Sequence, residues 1–256
     1  MNDDRLVELF FEIHHGLPRQ GQGSGNSTLR ALSFCAALPE DPIVLDIGCG
    51  PGMQTMALAD ARPGQIIAVD TCEEYLDQLR GRVRQASLRG RVEVRNADMR
   101  QLDFAENSFD LIWCEGAAYI MGIGMALCAW RSLLRDEGYL AFTELVWLEA
   151  QPADTVFEFF RAEYPAMAEV DAVKETIHQA GYELVGDFTL PDSAWWDDYY
   201  TPLADKLPAL RQKYANDTDA LNVISMTETE IDMRRRFSSA YGYQFFVAQR
   251  GSDPAS

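Results

Sequence analysis

The chain contains no run of 18 or more apolar residues, so no segment reads as a membrane-spanning helix. Histidine is scarce, with three residues (His14, His15 and His178) among 256. None of them stands near the acidic pair Asp197-Asp198, so no metal is expected. A Ser-His-Asp order and a glycine loop with a phosphate-binding lysine are both absent, which speaks against those two catalytic designs. The five cysteines (35, 49, 72, 114 and 128) form no C-x-x-C pair and mostly fall in apolar contexts. They read as small core residues rather than as ligands or disulfides. Basic residues are outnumbered, 22 Lys and Arg against 40 Asp and Glu, for a formal charge of −18. A field of that sign repels a phosphate backbone, so a nucleic-acid partner is not expected. Arg80, Arg82, Arg84, Arg89, Arg91 and Arg95 are crowded together, but beside Glu73, Glu74 and Asp77 they read as a solvated face. The acidic start Met1-Asn2-Asp3-Asp4 lacks the basic flank of a secretory signal, and a cytoplasmic location is expected.

What the chain does have is a hydrophobic content of 47%, ample for one large core at the upper end of single-domain length. Its most informative stretch is Ile43-Val44-Leu45-Asp46-Ile47-Gly48-Cys49-Gly50-Pro51-Gly52. An apolar strand ends there in an acidic residue and three alternating glycines, followed by a helical pattern over residues 53–61. Such a turn lets the backbone lie flat against a ligand at a helix N-terminus. A dinucleotide fingerprint would need its third glycine at position 53, which is Met53.

The D-x-G-x-G-x-G spacing of Asp46, Gly48, Gly50 and Gly52 resembles motif I of the class I S-adenosylmethionine (SAM)-dependent methyltransferases. The following β-α units strengthen the resemblance over residues 40–150. A second strand ends in Asp70, beside Thr71, where a carboxylate can accept both ribose hydroxyls of a nucleoside. A third runs into Asn96-Ala97-Asp98-Met99, and the resemblance implies that Asp98 accepts from the adenine amine while the Met99 amide faces the ring. A fourth ends in Glu115-Gly116-Ala117-Ala118-Tyr119, where the family places the reacting end of the methyl donor. A helix over 125–135 then leads to a fifth strand at 139–143. The fold implied is a three-layer, doubly wound, seven-stranded, mostly parallel α/β sheet with an antiparallel last strand. One domain is expected: an N-terminal cover (1–40), a SAM-binding core (41–150), sheet completion (151–190), a helical insert (191–240) and the last strand (241–250).

Residues 5–13 form an amphipathic pattern that runs into a loop containing Gly21, Gly23 and Gly25. That loop is either a flexible connector or a cover over the cofactor's methionyl end, with Arg19 or Gln20 meeting its carboxylate. Ser27 or Thr28 is expected to cap the next helix. The insert opens with Trp195, Trp196, Tyr199 and Tyr200, and helices are expected around 205–214 and 228–236. These aromatics either anchor the insert or, with Tyr119, wall a pocket for a planar or apolar substrate.

The function implied is methyl transfer from SAM to a small-molecule acceptor by in-line displacement, leaving S-adenosylhomocysteine. Alternatives are another SAM-derived transfer or a catalytically idle SAM-binding module. A base is needed if the acceptor is protonated. Glu115 is the first candidate, or else a cofactor or loop ligand, and His14 and His15 are the others. Pairing of two copies into a homodimer is left open.

Overall fold

The computed structural model describes residues 3–251; Met1 and Asn2 of the acidic start lie outside the described residues. Two helices lead in, α1 (Asp3–His14) and α2 (Gly25–Leu32). Strands and crossovers follow as β1 (Ile43–Ile47), α3 (Met53–Ala61), β2 (Gln65–Asp70), α4 (Glu73–Gln85), β3 (Val92–Asn96), β4 (Phe109–Cys114), α5 (Ile123–Arg131) and β5 (Leu134–Trp147). Next come α6 (Asp154–Glu163), β6 (Ala168–Glu169), α7 (Val170–Gln179) and β7 (Tyr182–Thr189). The insert holds α8 (Ser193–Trp195), a π-helical turn (Trp196–Tyr200), α9 (Thr201–Lys213) and α10 (Thr218–Phe237), and β8 (Tyr241–Arg250) closes the sheet.

The sheet runs β3-β2-β1-β4-β5-β8-β7, parallel except that β8 is antiparallel to both neighbours. An eighth strand, the two-residue β6, pairs with the far end of β5. Side chains alternate with period two, as a sheet covered on both faces requires. Leu45, Ile47, Ile112, Cys114, Leu140 and Phe142 pack with Leu127, Trp130, Val173 and Ile177 of α5 and α7. Val44, Leu111, Trp113, Tyr139 and Ala141 pack on the other face with Ala31, Leu58 and Leu79 of α2, α3 and α4. A third core lies beyond the sheet, where Leu9 and Ile13 of α1 and Phe160 of α6 meet Trp195, Tyr199, Tyr200, Leu203 and Ile224 of the insert.

Three local expectations are corrected. Helix α5 ends at Arg131 rather than 135, because Leu134 already pairs with Phe109; the ladder then slips before Leu111 meets Tyr139, with Glu137 at φ 61° in the bulge. Helix α10 begins ten residues before 228, since the Asp217 carboxylate accepts from the Ala220 amide at 3.0 Å and caps it. Helix α2 is capped by Ser24, whose Oγ accepts from the Ser27 amide at 3.1 Å, which frees Thr28 for another role. The arginine-rich stretch is largely tied down: Arg80 to Glu73 and Asp77, Arg95 to Glu93, and Arg91 to carbonyls of Ala59 and Gly64. Among the described residues no helix is long and apolar enough to cross a membrane.

Candidate active site

Strand order reverses between β1 and β4, and in an open α/β sheet the crevice at that switch point is where a ligand binds. A cavity of about 540 Å³ lies there, at the carboxyl ends of β1, β2, β3 and β4. The turn after β1 forms its floor. Gly48 stands at φ 68°, and a Cβ on it would come within 2.5 Å of the Ala117 Cβ, so glycine is required for the β1 and β4 loops to touch. Gly50, at φ 52°, has no atom within 4 Å of where its Cβ would be, and lines the cavity. Asp70 braces the same turn: one carboxylate oxygen accepts from the Gly50 amide and the other from the Cys72 amide, both at 2.9 Å. Each oxygen keeps a further lone pair for a ligand hydroxyl. Thr71, Asp98 and Met99 line the adjoining wall, with Asp98 accepting from the Arg100 amide at 2.9 Å.

Glu115, just past β4, is buried with its side chain 4% exposed. Its Oε1 accepts from Thr28 at 2.6 Å and from the Trp113 indole at 2.9 Å, and its Oε2 accepts from Arg19 at 3.0 Å. A carboxylate with three donors is occupied in holding the loop from the N-terminal segment. The Arg19 guanidinium, 5% exposed, uses only Nη1 in that pair; its Nε and Nη2 are buried without a protein partner. Gln20 also lines the cavity, held by the Tyr75 hydroxyl at 2.7 Å.

The far half of the cavity is aromatic. Tyr119 stands 46% exposed at its mouth, and Leu145, Phe160, Trp195, Tyr199, Tyr200, Tyr241 and Tyr243 line it together with Glu230. Trp195, Tyr199 and Tyr200 belong to the third core and also line the cavity. The N-terminal segment and the insert close this half together: the Gly23 amide donates to the Ala194 carbonyl at 2.9 Å, and Lys206 donates to the Ile13 carbonyl at 2.7 Å.

Five residues proposed for the site stand outside the cavity wall. Asp46 lies beneath the turn, accepting from Thr55 at 2.5 Å, and burial pushes its carboxyl up to about 7. Gly52 faces α4, where a Cβ would stand 2.2 Å from Leu79. His14 is buried behind Tyr199. Burial lowers its pKa to about 4, which keeps it neutral; its Nδ1 donates to the Phe10 carbonyl at 2.8 Å, so Nε2 accepts the Tyr199 hydroxyl at 3.2 Å. His15 is on the surface against Glu74, and Trp196 packs under Arg235. Conversely Glu230, Tyr241, Tyr243 and Phe160 carry no motif. They come from α10, β8 and α6 and meet only through tertiary packing.

Residues 44–138 match the model of a methyltransferase domain. This segment is a methyltransferase domain of the class I SAM-dependent family. The chain is 34% identical over 103 residues to a malonyl-[acyl-carrier protein] O-methyltransferase of Coxiella burnetii, covering 40% of each chain. Over most of its length (96%, against 93% of the relative) the chain is 25% identical to the 27-O-demethylrifamycin SV methyltransferase of Amycolatopsis mediterranei. The chain matches about half or less of the length of the first curated relatives. Among solved structures, a SAM-dependent methyltransferase of Geobacter sulfurreducens in complex with S-adenosyl-L-homocysteine superposes with a TM-score of 0.79 at 17% identity, covering 94% of this chain and 97% of that one. The fold around the methyltransferase domain is therefore shared along nearly the whole chain.

Proposed function

We propose that the protein transfers the methyl group of SAM to a small-molecule acceptor held in the aromatic half of the cavity. The observation that carries this reading is the continuity of the cavity: nucleoside-type groups at the strand ends open directly into an enclosed aromatic chamber. Two features fit the cofactor. Arg19 offers two buried, unpartnered N–H donors suited to a carboxylate, and Gly50 leaves space at the turn. Asp70 would take the ribose hydroxyls, Asp98 and Met99 the adenine, and Arg19 with Gln20 the methionyl end. When bound, SAM supplies a methyl group on a positively charged sulfur.

The chain's own residues do the positioning. Glu115 fixes Arg19 and, through Thr28, the start of α2. His14 fixes the Tyr199 hydroxyl. The packed N-terminal segment and insert restrict water and orient the acceptor. The charge of −18 supports an acceptor other than nucleic acid. Calorimetric titration with S-adenosylhomocysteine, alongside NADH, tests the cofactor; saturable binding of the first and none of the second is expected. Incubation with methyl-labelled SAM and an acceptor panel tests turnover. Binding without transfer to any acceptor would favour an idle module.

A further inference from the structure

The far half of the cavity combines aromatic faces with a carboxylate that has no ion-pair partner; Arg234, one turn along α10, is paired with Asp192 and lies over the Trp195 ring. Tyr119, Tyr199, Tyr200, Tyr241 and Tyr243 surround Glu230. Glu230 Oε1 accepts from the Tyr200 hydroxyl at 2.6 Å, and Gln22 donates to that same hydroxyl at 3.2 Å. Among the described residues no Lys, Arg or His forms an ion pair with Glu230, and the two arginines that line the cavity are engaged elsewhere. Arg19 is paired with Glu115, and Arg100 donates to the Ile120 carbonyl while facing Asp98. A second buried carboxylate, Glu144, lies behind the same wall, bonded to the Tyr164 hydroxyl at 2.5 Å; Tyr164 packs edge-on against Tyr119.

Enclosing an uncompensated carboxylate is unfavourable, and burial pushes Glu230 above the usual carboxylate range and Glu144 up to about 7. A bound cation offsets that cost, and the π-faces of tyrosines attract it further. Two more atoms point to a ligand in this chamber. The Trp195 Nε1 and the Tyr241 hydroxyl, both in residues 1% exposed, are buried without a partner, and both residues line the cavity. An indole N–H can only donate, so the group that would satisfy it is a hydrogen-bond acceptor such as a hydroxyl or carbonyl oxygen. The net charge of −18 adds a field that draws cations in and repels anions.

We propose that the acceptor molecule is an amine bearing an oxygen function, whose organic ammonium group sits against the tyrosine faces with Glu230 as its counter-charge. This rests on the methyl-transfer reading and narrows its substrate class: phosphates, carboxylic acids and neutral hydrocarbons are disfavoured in this half of the cavity.

The test uses the full chain saturated with S-adenosylhomocysteine, titrated with choline, with 3,3-dimethylbutan-1-ol as its uncharged isostere, and with 3,3-dimethylbutanoate as an anion. Choline is expected to bind saturably in the millimolar range, the neutral isostere at least about tenfold more weakly, and the anion not at all. Glu230→Gln keeps an acceptor for the Tyr200 hydroxyl, and it should weaken choline about tenfold or more while leaving S-adenosylhomocysteine affinity within about twofold. Tyr119→Leu, at the exposed mouth, should lower choline affinity several-fold and serves if the first variant fails to fold. Equal binding of choline and its isostere, or no choline binding to the loaded protein, overturns the proposal. So does a Glu230→Gln variant that loses SAM but not choline, since the carboxylate would then face the sulfonium. Failure of S-adenosylhomocysteine itself to bind would overturn the methyl-transfer reading first, and this proposal with it.

Discussion

Replacing Arg19 separates its proposed ligand contact from its structural one, because the same buried guanidinium is placed for both. Nη1 is paired with Glu115 while Nε and Nη2 are buried without partners. If those two donors receive the methionyl carboxylate, Arg19→Ala removes two charge-assisted hydrogen bonds. At about 1.5–3 kcal/mol each, discounted for coupling, the loss is about 3 kcal/mol or roughly 150-fold in affinity for S-adenosylhomocysteine. The paired control is 5′-methylthioadenosine, which has the nucleoside and thioether but no carboxylate; its affinity should change by less than about threefold. The same substitution strips Glu115 of its charge partner and leaves it Thr28 and Trp113, so a stability loss of about 3 kcal/mol accompanies it. Arg19→Lys keeps the charge beside Glu115 and should retain most of the stability while still losing the two-pronged contact. Isothermal titration of both ligands against both variants, with melting curves, reads the four corners of the cycle. Equal losses for the two ligands would refute the reasoning, for Arg19 would then act only through the packing of the N-terminal segment.

Gly48→Ala combines a left-handed backbone with a 2.5 Å approach to the Ala117 Cβ and should cost about 2–4 kcal/mol by chemical denaturation, whereas Gly50→Ala meets no atom and should cost only the backbone strain of about 1–2 kcal/mol while also lowering ligand affinity. Asp70→Ala should cost about 2–3 kcal/mol of S-adenosylhomocysteine affinity in a titration, and Asp98→Ala less, because Asp70 also holds the Gly50 and Cys72 amides of the turn. Burial raises the Asp46 carboxyl in the folded chain to about 7 from an ordinary 3.8, so its contribution to stability is present below about pH 4 and is lost as pH rises towards 7. Unfolding free energies at pH 4 and pH 8 should therefore show Asp46→Asn gaining on the parent protein as pH rises; a constant difference would contradict this. His14 has the opposite sign: with its folded value lowered to about 4, stability is lost as pH falls from about 6.5 to 4, and His14→Gln should flatten that part of the profile.

The sheet strands were legible because each side chain's face is written locally. The alternation that sends Leu45 and Ile47 to one core and Val44 to the other needs only neighbours along the chain, as does the glycine spacing at 48, 50 and 52. Boundaries were harder where a distant partner decides them. Strand β5 reaches back to Leu134 because Phe109 pairs with it, and no signal within residues 125–143 announces that register. Likewise the capping of α2 fell to Ser24, three residues ahead of the expected Ser27, so that Thr28 could reach Glu115.

One half of the cavity is lined by the ends of consecutive strands, so Gly48 and Asp70 could be expected there from the glycine turn and the acidic strand end, and Asp98 and Glu115 from the family resemblance, whereas Asp46 and Gly52 of the same motif lie beneath the turn and against α4. The aromatic half was legible only in part, through Tyr119, Trp195, Tyr199 and Tyr200. Glu230 on α10, Tyr241 and Tyr243 on β8, and Phe160 on α6 are far apart in the chain and follow no spacing rule. Only the packing of the insert against α1 and α6 brings them round one chamber, and that same packing carried His14 behind the wall and left His15 and Trp196 outside it. Local sequence determined where the backbone turns towards a ligand, because a turn's conformation depends on the residues within it. The tertiary structure decided which side chains enclose the aromatic chamber, because burial depends on whatever the rest of the chain places opposite.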